Sequence, residues 1–306
     1  MAASDEGNSA ASDPADRVLV ITPVFDAPRE LVFKAWTDPI IVGQWWGPTG
    51  FTTTTREMDV RPGGVWRLTM HGPDGRDYKN KIVFLEVARP ERLVYKHDPE
   101  KGIEPVSFQT TVTFADRGDK TELTMRMLFP SAAAREHVIK TYGAEEGAKQ
   151  TLARLREHLA KTPIIIERSF NAPIETVWRA ITDVGQMKQW YFPALDSFKP
   201  EVGFETQFNV RHDEKDYLHI WKVTEVVPGK KLTYNWKYGE YSGDTMVTFE
   251  LLSEGDKTKL KLTHKGLETF LPETNPELAR GNFVQGWTHF SSSLEAFLER
   301  TSGDVC

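Results

Sequence analysis

Alternating hydrophobic and polar residues recur along the chain in short segments, which is typical of half-buried β-strands. In the first half these segments are Val18–Phe25, Phe51–Val60, Val65–His71, Asp77–Val87, Arg92–His97, Ser107–Ala115 and Thr121–Leu128. In the second half they are Ile164–Phe170, a short run near Phe198, Phe204–Val210, Tyr217–Val226, Leu232–Tyr238, Thr245–Leu252 and Thr258–Thr263. Helical spacing follows each group, from about Ser131 to Pro163 and from about Glu277 to Glu299. The pattern therefore predicts two groups of antiparallel strands, each followed by a long helix.

The segment that opens each group is repeated. Phe25–Asp38, followed by Trp45-Trp46, returns as Phe170–Asp183, followed by Trp190-Tyr191, so that Phe25 and Phe170 are 145 positions apart. In each copy a strand ends, a proline follows, and helical spacing begins, as expected where proline occupies the first turn of a helix. Solenoid repeats recur every 20–50 residues or so, so a repeat of this length is a whole domain.

The predicted fold class is α+β, with two similar domains. We expect a disordered tail over residues 1–17, a first domain over 18–161 and a second over 162–301. Each domain is predicted as β-α-α, six antiparallel strands and a long helix. An antiparallel sheet has to cover one face, and the long amphipathic helix is large enough to cover it. A twisted sheet curved around a helix encloses a concave space, where ligands typically bind.

Composition excludes several classes of function. The net charge is −6 and neither half is basic, so the chain lacks the charge that nucleic-acid binding requires. No apolar run approaches the roughly 18 residues of a membrane helix, so membrane insertion is not expected. The acidic start has no secretory signal, and the only cysteine is Cys306, the last residue. We therefore expect a cytoplasmic protein.

Several motifs resemble one known superfamily, the helix-grip (START-like, SRPBCC) proteins, and within it the domain related to the C-terminal domain of activators of the heat-shock protein 90 ATPase. They are Phe25-Asp26-Ala27-Pro28, Trp45-Trp46-Gly47-Pro48, Arg61-Pro62-Gly63-Gly64-Val65-Trp66, Pro73-Asp74-Gly75 and Pro90-Glu91-Arg92-Leu93-Val94-Tyr95. The second copy is a weaker match, with Glu201-Val202-Gly203-Phe204 in place of the Gly-Gly-x-Trp element. The resemblance implies two helix-grip domains. It leaves the function open, because relatives include lipid and polyketide binders, cyclases and co-chaperone domains.

Candidate catalytic chemistry is sparse. The eight histidines show no metal-binding spacing, so we predict no metal and no cofactor. There is no nucleophile elbow, P-loop or dinucleotide fingerprint. His71 and His219 are weak candidates for an acid or base facing a cavity, although strand histidines are more often solvated or structurally bonded.

Large side chains on the strands and helices are the candidate ligand-binding residues. In the first copy they are Trp45, Trp46, Trp66, Met70, Tyr78, Phe84 and Tyr95; in the second they are Trp190, Tyr191, Phe208, Trp221, Tyr234, Trp236, Phe283 and Trp287. Either they pack as a core, or they form a pocket wall with tyrosine hydroxyls as polar contacts.

Three hypotheses remain from the sequence. The leading one is non-covalent binding of a hydrophobic or aromatic small molecule between sheet and helix. The second, implied only by the resemblance, is a chaperone-interaction module with a chaperone as partner. The third is a cyclase or hydrolase that uses a cavity His or Tyr. One copy binding while the other serves as a scaffold is compatible with the weaker second motif.

Overall fold

The computed structural model describes residues 14–98, 107–212, 214–272 and 274–303. The chain divides between Leu159 and Ala160 into two compact units, here called the first and the second unit. Each contains one antiparallel sheet, a pair of short helices near its start and a long final helix, and the first unit has a further helix before its final one. The predicted α+β class and the helix-grip arrangement are therefore confirmed.

The first unit begins with a short 3-10 helix, Pro14–Arg17. Its strands are β1 Val18–Ile21, β2 Val24–Phe25, β3 Thr52–Met58, β4 Val65–His71, β5 Asp77–Ala88, β6 Arg92–His97, β7 Phe108–Arg117 and β8 Lys120–Leu128. Its helices are α1 Arg29–Thr37, α2 Pro39–Trp45, α3 Ala132–Tyr142 and α4 Ala144–Lys161. The strand order is β1-β8-β7-β6-β5-β4-β3, and β2 also pairs with β8.

The second unit repeats this plan with fewer strands. Its elements are β9 Ile164–Phe170, α5 Ile174–Thr182, α6 Val184–Trp190, β10 Glu205–His212, β11 Lys215–Val227, β12 Lys231–Tyr238, β13 Thr245–Glu254, β14 Lys257–Lys265 and α7 Arg280–Gly303. Short 3-10 helices, Leu267–Phe270 and Pro276–Leu278, precede α7. The strand order is β10-β11-β12-β13-β14-β9.

The repeated opening segment makes the same contacts in both units. Asp38 and Asp183 cap the second helix of each unit, because their side chains accept hydrogen bonds from backbone N–H groups of its first turn. The indole N–H of Trp45 donates to the carbonyl of Ala35 at 3.0 Å, and that of Trp190 donates to Ala180 at 2.9 Å. These bonds tie the two short helices together, which explains the repeated spacing of tryptophan and alanine.

Three expectations need correction. The strand predicted near Phe198 is absent, and this segment has no regular structure. The helical stretch after Ser131 is two helices, because Gly143 adopts a left-handed conformation, φ 59°, between them. Residues 14–17, predicted as part of a disordered tail, form a 3-10 helix, and the carbonyl of Arg17 accepts a hydrogen bond from the backbone N–H of Phe129. Residues 1–13 and Cys306 lie outside the described residues.

The core of each unit lies between the concave face of its sheet and its last helix. In the first unit Leu152, Leu155 and Leu159 of α4 are buried. In the second unit Leu294 and Phe297 of α7 are buried against the other sheet. The long helix thus covers the sheet, as the amphipathic pattern predicts.

Candidate functional site

Most of the candidate residues of the first unit lie together on the inner side of its sheet. Trp45, Trp66, Phe84 and Tyr95 are buried, and Trp46 is half-buried. The rings of Trp46 and Trp66 meet edge to face with centroids 4.8 Å apart, and the indole N–H of Trp66 donates to the hydroxyl of Thr55. The candidate residues of the first unit therefore form one cluster of large side chains.

Met70 and Tyr78 lie nearer the edge of this cluster. Met70 is half-buried against the core. Tyr78 faces it across the β4–β5 pair but is 39% exposed, and its hydroxyl points toward Asp74 in the turn between the strands. Tyr78 therefore belongs to the rim of the inner space rather than to its wall.

The loop that carries Trp46 is held by the long helix of the same unit. Arg154 of α4 donates from Nη1 to the carbonyls of Gly47, Pro48 and Phe51 at 2.9–3.1 Å. Gln150 accepts the backbone N–H of Thr49 at 3.1 Å. These bonds fix the half-buried ring of Trp46 beside α4.

His71, one of the two catalytic candidates, lies away from this inner space. It shares the outer face of β4 with Arg67, while Trp66 and Leu68 face inward. Its ring nitrogens contact the Thr54 hydroxyl at 2.9 Å and the Asp77 carboxylate at 2.6 Å. His71 is therefore a structurally bonded histidine on the outer face of the sheet, the alternative considered in the sequence analysis.

In the second unit all eight candidate residues are buried. Tyr191, 4% exposed, lies in the middle, and its ring contacts those of Trp190, Phe192, Trp221, Trp287 and Phe290. Its hydroxyl is hydrogen-bonded to that of Tyr234 at 2.8 Å. Phe208 packs edge to face on Trp221, with centroids 4.8 Å apart. Aromatic side chains thus occupy the space in which the sequence analysis expected a cavity.

His219, the other catalytic candidate, faces inward within this aromatic cluster. Its ring stacks on Phe208 with centroids 5.0 Å apart, and Nδ1 lies 3.0 Å from the carbonyl of Tyr217, which accepts a hydrogen bond from it. Burial lowers the pKa of His219 to about 4. The imidazole is therefore neutral near pH 7.

A second buried histidine, His264, was not identified from the sequence. The indole N–H of Trp287 donates to His264 Nδ1 at 3.0 Å, and Nε2 lies 2.8 Å from the Thr245 hydroxyl, which in turn donates to the carbonyl of Trp236. Because Nδ1 accepts, the neutral ring carries its proton on Nε2. The available signal was the alternation of β14, in which His264 follows Leu260 and Leu262 on the inner face.

These two histidines predict acid sensitivity. Burial, with a smaller effect of Arg280, lowers the pKa of His264 to about 3, and that of His219 is about 4, both below the ordinary 6.5. The unfolded chain therefore binds more protons than the folded one between about pH 6.5 and 3, so stability falls as the pH is lowered through this range. Between pH 7.5 and pH 5.0 the two histidines together are expected to lower the unfolding free energy by roughly 4 kcal/mol, about 2 kcal/mol each.

Urea unfolding at pH 7.5, 6.0 and 5.0 measures this effect above the range in which most carboxylates titrate. The variant His264→Gln removes the titrating imidazole at position 264, so its unfolding free energy is expected to depend less steeply on pH. An unfolding free energy that stays constant from pH 7.5 to 5.0, or an equal slope in the variant, contradicts the prediction.

The two long helices can be aligned through their buried positions. Three pairs of buried residues on the helices are each 139 positions apart: Leu152 and Ser291, Leu155 and Leu294, Leu159 and Leu298. Tyr95 and Tyr234 on the sheets have the same separation. With the same displacement, Ala144, Ala148 and Thr151 of α4 align in sequence with Phe283, Trp287 and Phe290 of α7. The helix of the first unit therefore carries small residues where that of the second carries aromatic rings.

This difference changes how far the inner space is filled. Trp46, His97 and Ala148 are half-buried in the first unit, whereas their counterparts Tyr191, Trp236 and Trp287 are buried in the second. We use the name inner cleft for the half-buried, inward-facing residues of the first unit, which are Trp46, Met70, His97, Phe108, Ala144 and Ala148. His97 stacks on Phe108 with centroids 4.1 Å apart, and Phe108 stacks in turn on Phe129 at 5.0 Å, so the three rings form one row.

Within the residues that the structure describes, no group of three or more His, Cys, Asp or Glu side chains is arranged to hold a metal ion. In the same residues no helix has the length and hydropathy needed to span a membrane.

Comparisons with known proteins agree with this architecture. Two segments, residues 26–160 and 171–299, each match the family described as Activator of Hsp90 ATPase homolog 1-like protein. No curated protein matches the chain.

Similar solved structures include a protein from Arthrobacter aurescens, 23% identical over 49% of this chain and 90% of its own, with a TM-score of 0.46. Protein Ms6760 from Mycobacterium smegmatis is 26% identical over 49% of this chain and 94% of its own, with a TM-score of 0.45. DynU16, a protein in the dynemicin biosynthetic locus, is 17% identical over 92% of this chain and 98% of its own, with a TM-score of 0.37. With both of its units matched by one family, the chain belongs to the Activator of Hsp90 ATPase homolog 1-like proteins and carries two such domains in tandem.

Proposed function

We propose that this protein binds a hydrophobic, aromatic small molecule without a covalent bond, and that the binding site is the inner cleft of the first unit. The observation that carries the proposal is the half-buried state of Trp46, His97 and Phe108 on an inward-facing surface. Large apolar side chains that face inward and yet remain accessible are typical of ligand sites, which combine an apolar wall with a few polar groups.

The small residues of α4 support this assignment. Ala144 and Ala148 pack against the core of the first unit at positions where the second unit carries Phe283 and Trp287. A planar molecule that enters here gains contact with the stacked pair His97 and Phe108 and with the ring of Trp46. Removing apolar surface from water supplies the driving force, at about 25 cal/mol per Å².

The second unit is assigned a supporting role in this proposal. Trp287, Phe283 and Tyr191 already occupy the corresponding space, so a ligand has to displace packed rings to enter. Interiors packed to this density resist such a displacement. The hypothesis that one copy binds while the other serves as a scaffold is thus supported by the closer packing of the inner space in the second unit.

Native mass spectrometry on gently purified protein tests the proposal, with the denatured mass of the same sample as reference. We expect additional mass that disappears on denaturation. Where the protein is purified bare, a panel of neutral aromatic compounds is expected to raise its melting temperature, because a ligand that binds the folded state stabilises it by mass action. Bare protein together with no stabilisation by any compound of the panel contradicts the proposal.

Two other functions are less well supported. Interaction with a chaperone rests on the family's description alone, and stimulation of a chaperone ATPase by the purified chain is its direct test. Catalysis by His71 or His219 loses support because His71 lies on the outer face of β4, while His219 belongs to the filled second unit. Turnover that survives both His71→Ala and His219→Ala removes these two residues from any enzymatic mechanism.

A further inference from the structure

Three polar side chains are buried at the inner end of the cleft. Trp36 of α1, Tyr95 of β6 and Thr110 of β7 are each at most 2% exposed. Tyr95 and Thr110 are direct neighbours across the β6–β7 pair and both face the core. We call these three residues the polar trio.

The polar trio has more hydrogen-bonding capacity than its neighbours satisfy. Burial raises the pKa of Tyr95, and the Thr110 hydroxyl and Trp36 indole lie close enough to its oxygen to offset part of that rise. The nitrogen Nε1 of Trp36 and the oxygen Oγ1 of Thr110 nevertheless have no hydrogen-bond partner of normal geometry in the described part of the chain. Buried polar atoms in native proteins are nearly always bonded, so each unsatisfied atom calls for an explanation.

The fold itself does not require the polar trio. In the second unit Ile181 stands where the repeat places Trp36, and Val247 stands where the strand pairing places Thr110. The third member, Tyr234, is bonded to the hydroxyl of Tyr191 at 2.8 Å. The second unit thus lacks both groups at the equivalent positions. Two other indole N–H groups of its aromatic cluster, those of Trp221 and Trp236, are also without a hydrogen-bond partner in the described part of the chain.

The polar trio borders the residues that line the cleft. The ring of Trp36 meets that of Trp46 edge to face, with centroids 5.7 Å apart. The ring of Tyr95 meets that of His97 in the same way at 5.8 Å. Thr110 follows Phe108 by two positions on the inward face of β7. A ligand that lies against His97 and Phe108 therefore has the polar trio at its inner end.

We propose that the molecule bound in the inner cleft carries a neutral oxygen atom, a phenolic hydroxyl or a ring carbonyl, which accepts hydrogen bonds from the Trp36 indole and the Thr110 hydroxyl. The trio contains an obligatory donor in Trp36, two hydroxyl groups and no charged side chain. Such a set suits an uncharged oxygen rather than a carboxylate, because a buried anion requires a charged partner. This inference rests on the proposed function of the first unit and names the chemical class of its ligand.

Two probes with the same ring system test the inference, naphthalene and 2-naphthol, titrated into the full chain. We expect the wild-type protein to bind 2-naphthol about tenfold more tightly than naphthalene, the factor that corresponds to roughly one net hydrogen bond. In Thr110→Val the preference is expected to fall severalfold, while the affinity for naphthalene stays the same. Valine occupies the equivalent position of the second unit, so this variant is expected to fold, and its melting temperature reports whether it does.

The matched control is Thr111→Val, because Thr111 is the next residue of β7 and faces the opposite side of the sheet. It is expected to keep the wild-type preference for 2-naphthol. Equal affinity of the wild-type protein for both probes overturns the inference alone, as does a preference that Thr110→Val leaves intact. Failure of both probes to bind overturns the proposed function and the inference with it.

Discussion

Replacing Ala148 by tryptophan is expected to abolish ligand binding by the first unit, with a loss of affinity of at least about 100-fold. Tryptophan is the residue at the equivalent position of the second unit, where Trp287 is 2% exposed and packs against Tyr191 and Trp236. An indole on α4 at position 148 projects into the inner cleft and occupies the space beside His97 and Trp46. A loss of 100-fold corresponds to about 2.7 kcal/mol, comparable to the burial of one large apolar side chain.

The measurement is the binding of whichever aromatic compound stabilises the wild-type protein, with the melting temperature of each variant as a check on folding. Ala153→Trp is the matched control, because Ala153 is exposed on the opposite side of α4, and the same residue is introduced there without blocking the cleft. The control is expected to bind as the wild type does. Equal binding by a folded Ala148→Trp variant contradicts the location of the site, even where the protein binds the compound.

Much of the fold follows from local patterns. The alternation of Trp66, Leu68 and Met70 against Arg67 and His71 is reproduced by the inner and outer faces of β4. Helical spacing predicts both long helices, since an apolar stripe on a helix has to be buried against the sheet. These features are predictable because each depends on a few neighbouring residues.

The wrong secondary-structure predictions arise where tertiary contacts determine the backbone conformation. The segment around Phe198 has the apolar character of a strand, yet the ring of Phe198 packs on Phe204 and Tyr234 and its backbone does not join the sheet. Gly143 ends one helix and allows the next to begin, although the apolar spacing runs through the break. Apolar content alone therefore separates buried from exposed residues better than it separates strand from irregular backbone.

The sequence predicts which large side chains face inward, but not whether the space between them is filled. Sequence identifies Trp46, Tyr95 and their counterparts as inward-facing, but whether the space between sheet and helix is open depends on what the helix places opposite them. That requires the register of α4 against its sheet, in which Ala148 corresponds to Trp287. The unsatisfied groups of Trp36 and Thr110 were likewise invisible, since only the fold brings them beside Tyr95.

Comparison of the two units distinguishes the contacts that both contain from the contacts that only one contains. Both keep the helix caps and the tryptophan bond to alanine, and in both a buried threonine hydroxyl, of Thr121 or Thr258, donates to a backbone carbonyl at 2.7 Å. They differ in the inner space, where the first unit has Ala148 and the second has Trp287, whose ring contacts Tyr191 and Trp236. The shared contacts are therefore assigned to stability, and the differing ones are those on which the proposed binding site depends.

Replacing Trp287 by alanine is expected to destabilise the second unit by about 3–5 kcal/mol, the range found for large aromatic residues in packed cores. The indole is 2% exposed, and its ring contacts Tyr191, Trp236 and Phe249. Its N–H is also the donor to Nδ1 of the fully buried His264, so the substitution leaves that acceptor without its partner. Urea unfolding followed by far-UV circular dichroism measures the loss.

The variant Trp287→Phe separates packing from hydrogen bonding, because it keeps an aromatic ring and removes the donor. It is expected to cost less than the alanine variant, with the unsatisfied acceptor accounting for about 1–3 kcal/mol of its loss. The substitution Trp287→Ala also places alanine at the position equivalent to Ala148 of the first unit. Indole added to the solution is therefore expected to fill the new space and restore part of the lost stability. A cost below about 1 kcal/mol for Trp287→Ala contradicts the close packing of the second unit, and with it the physical basis for assigning ligand binding to the first.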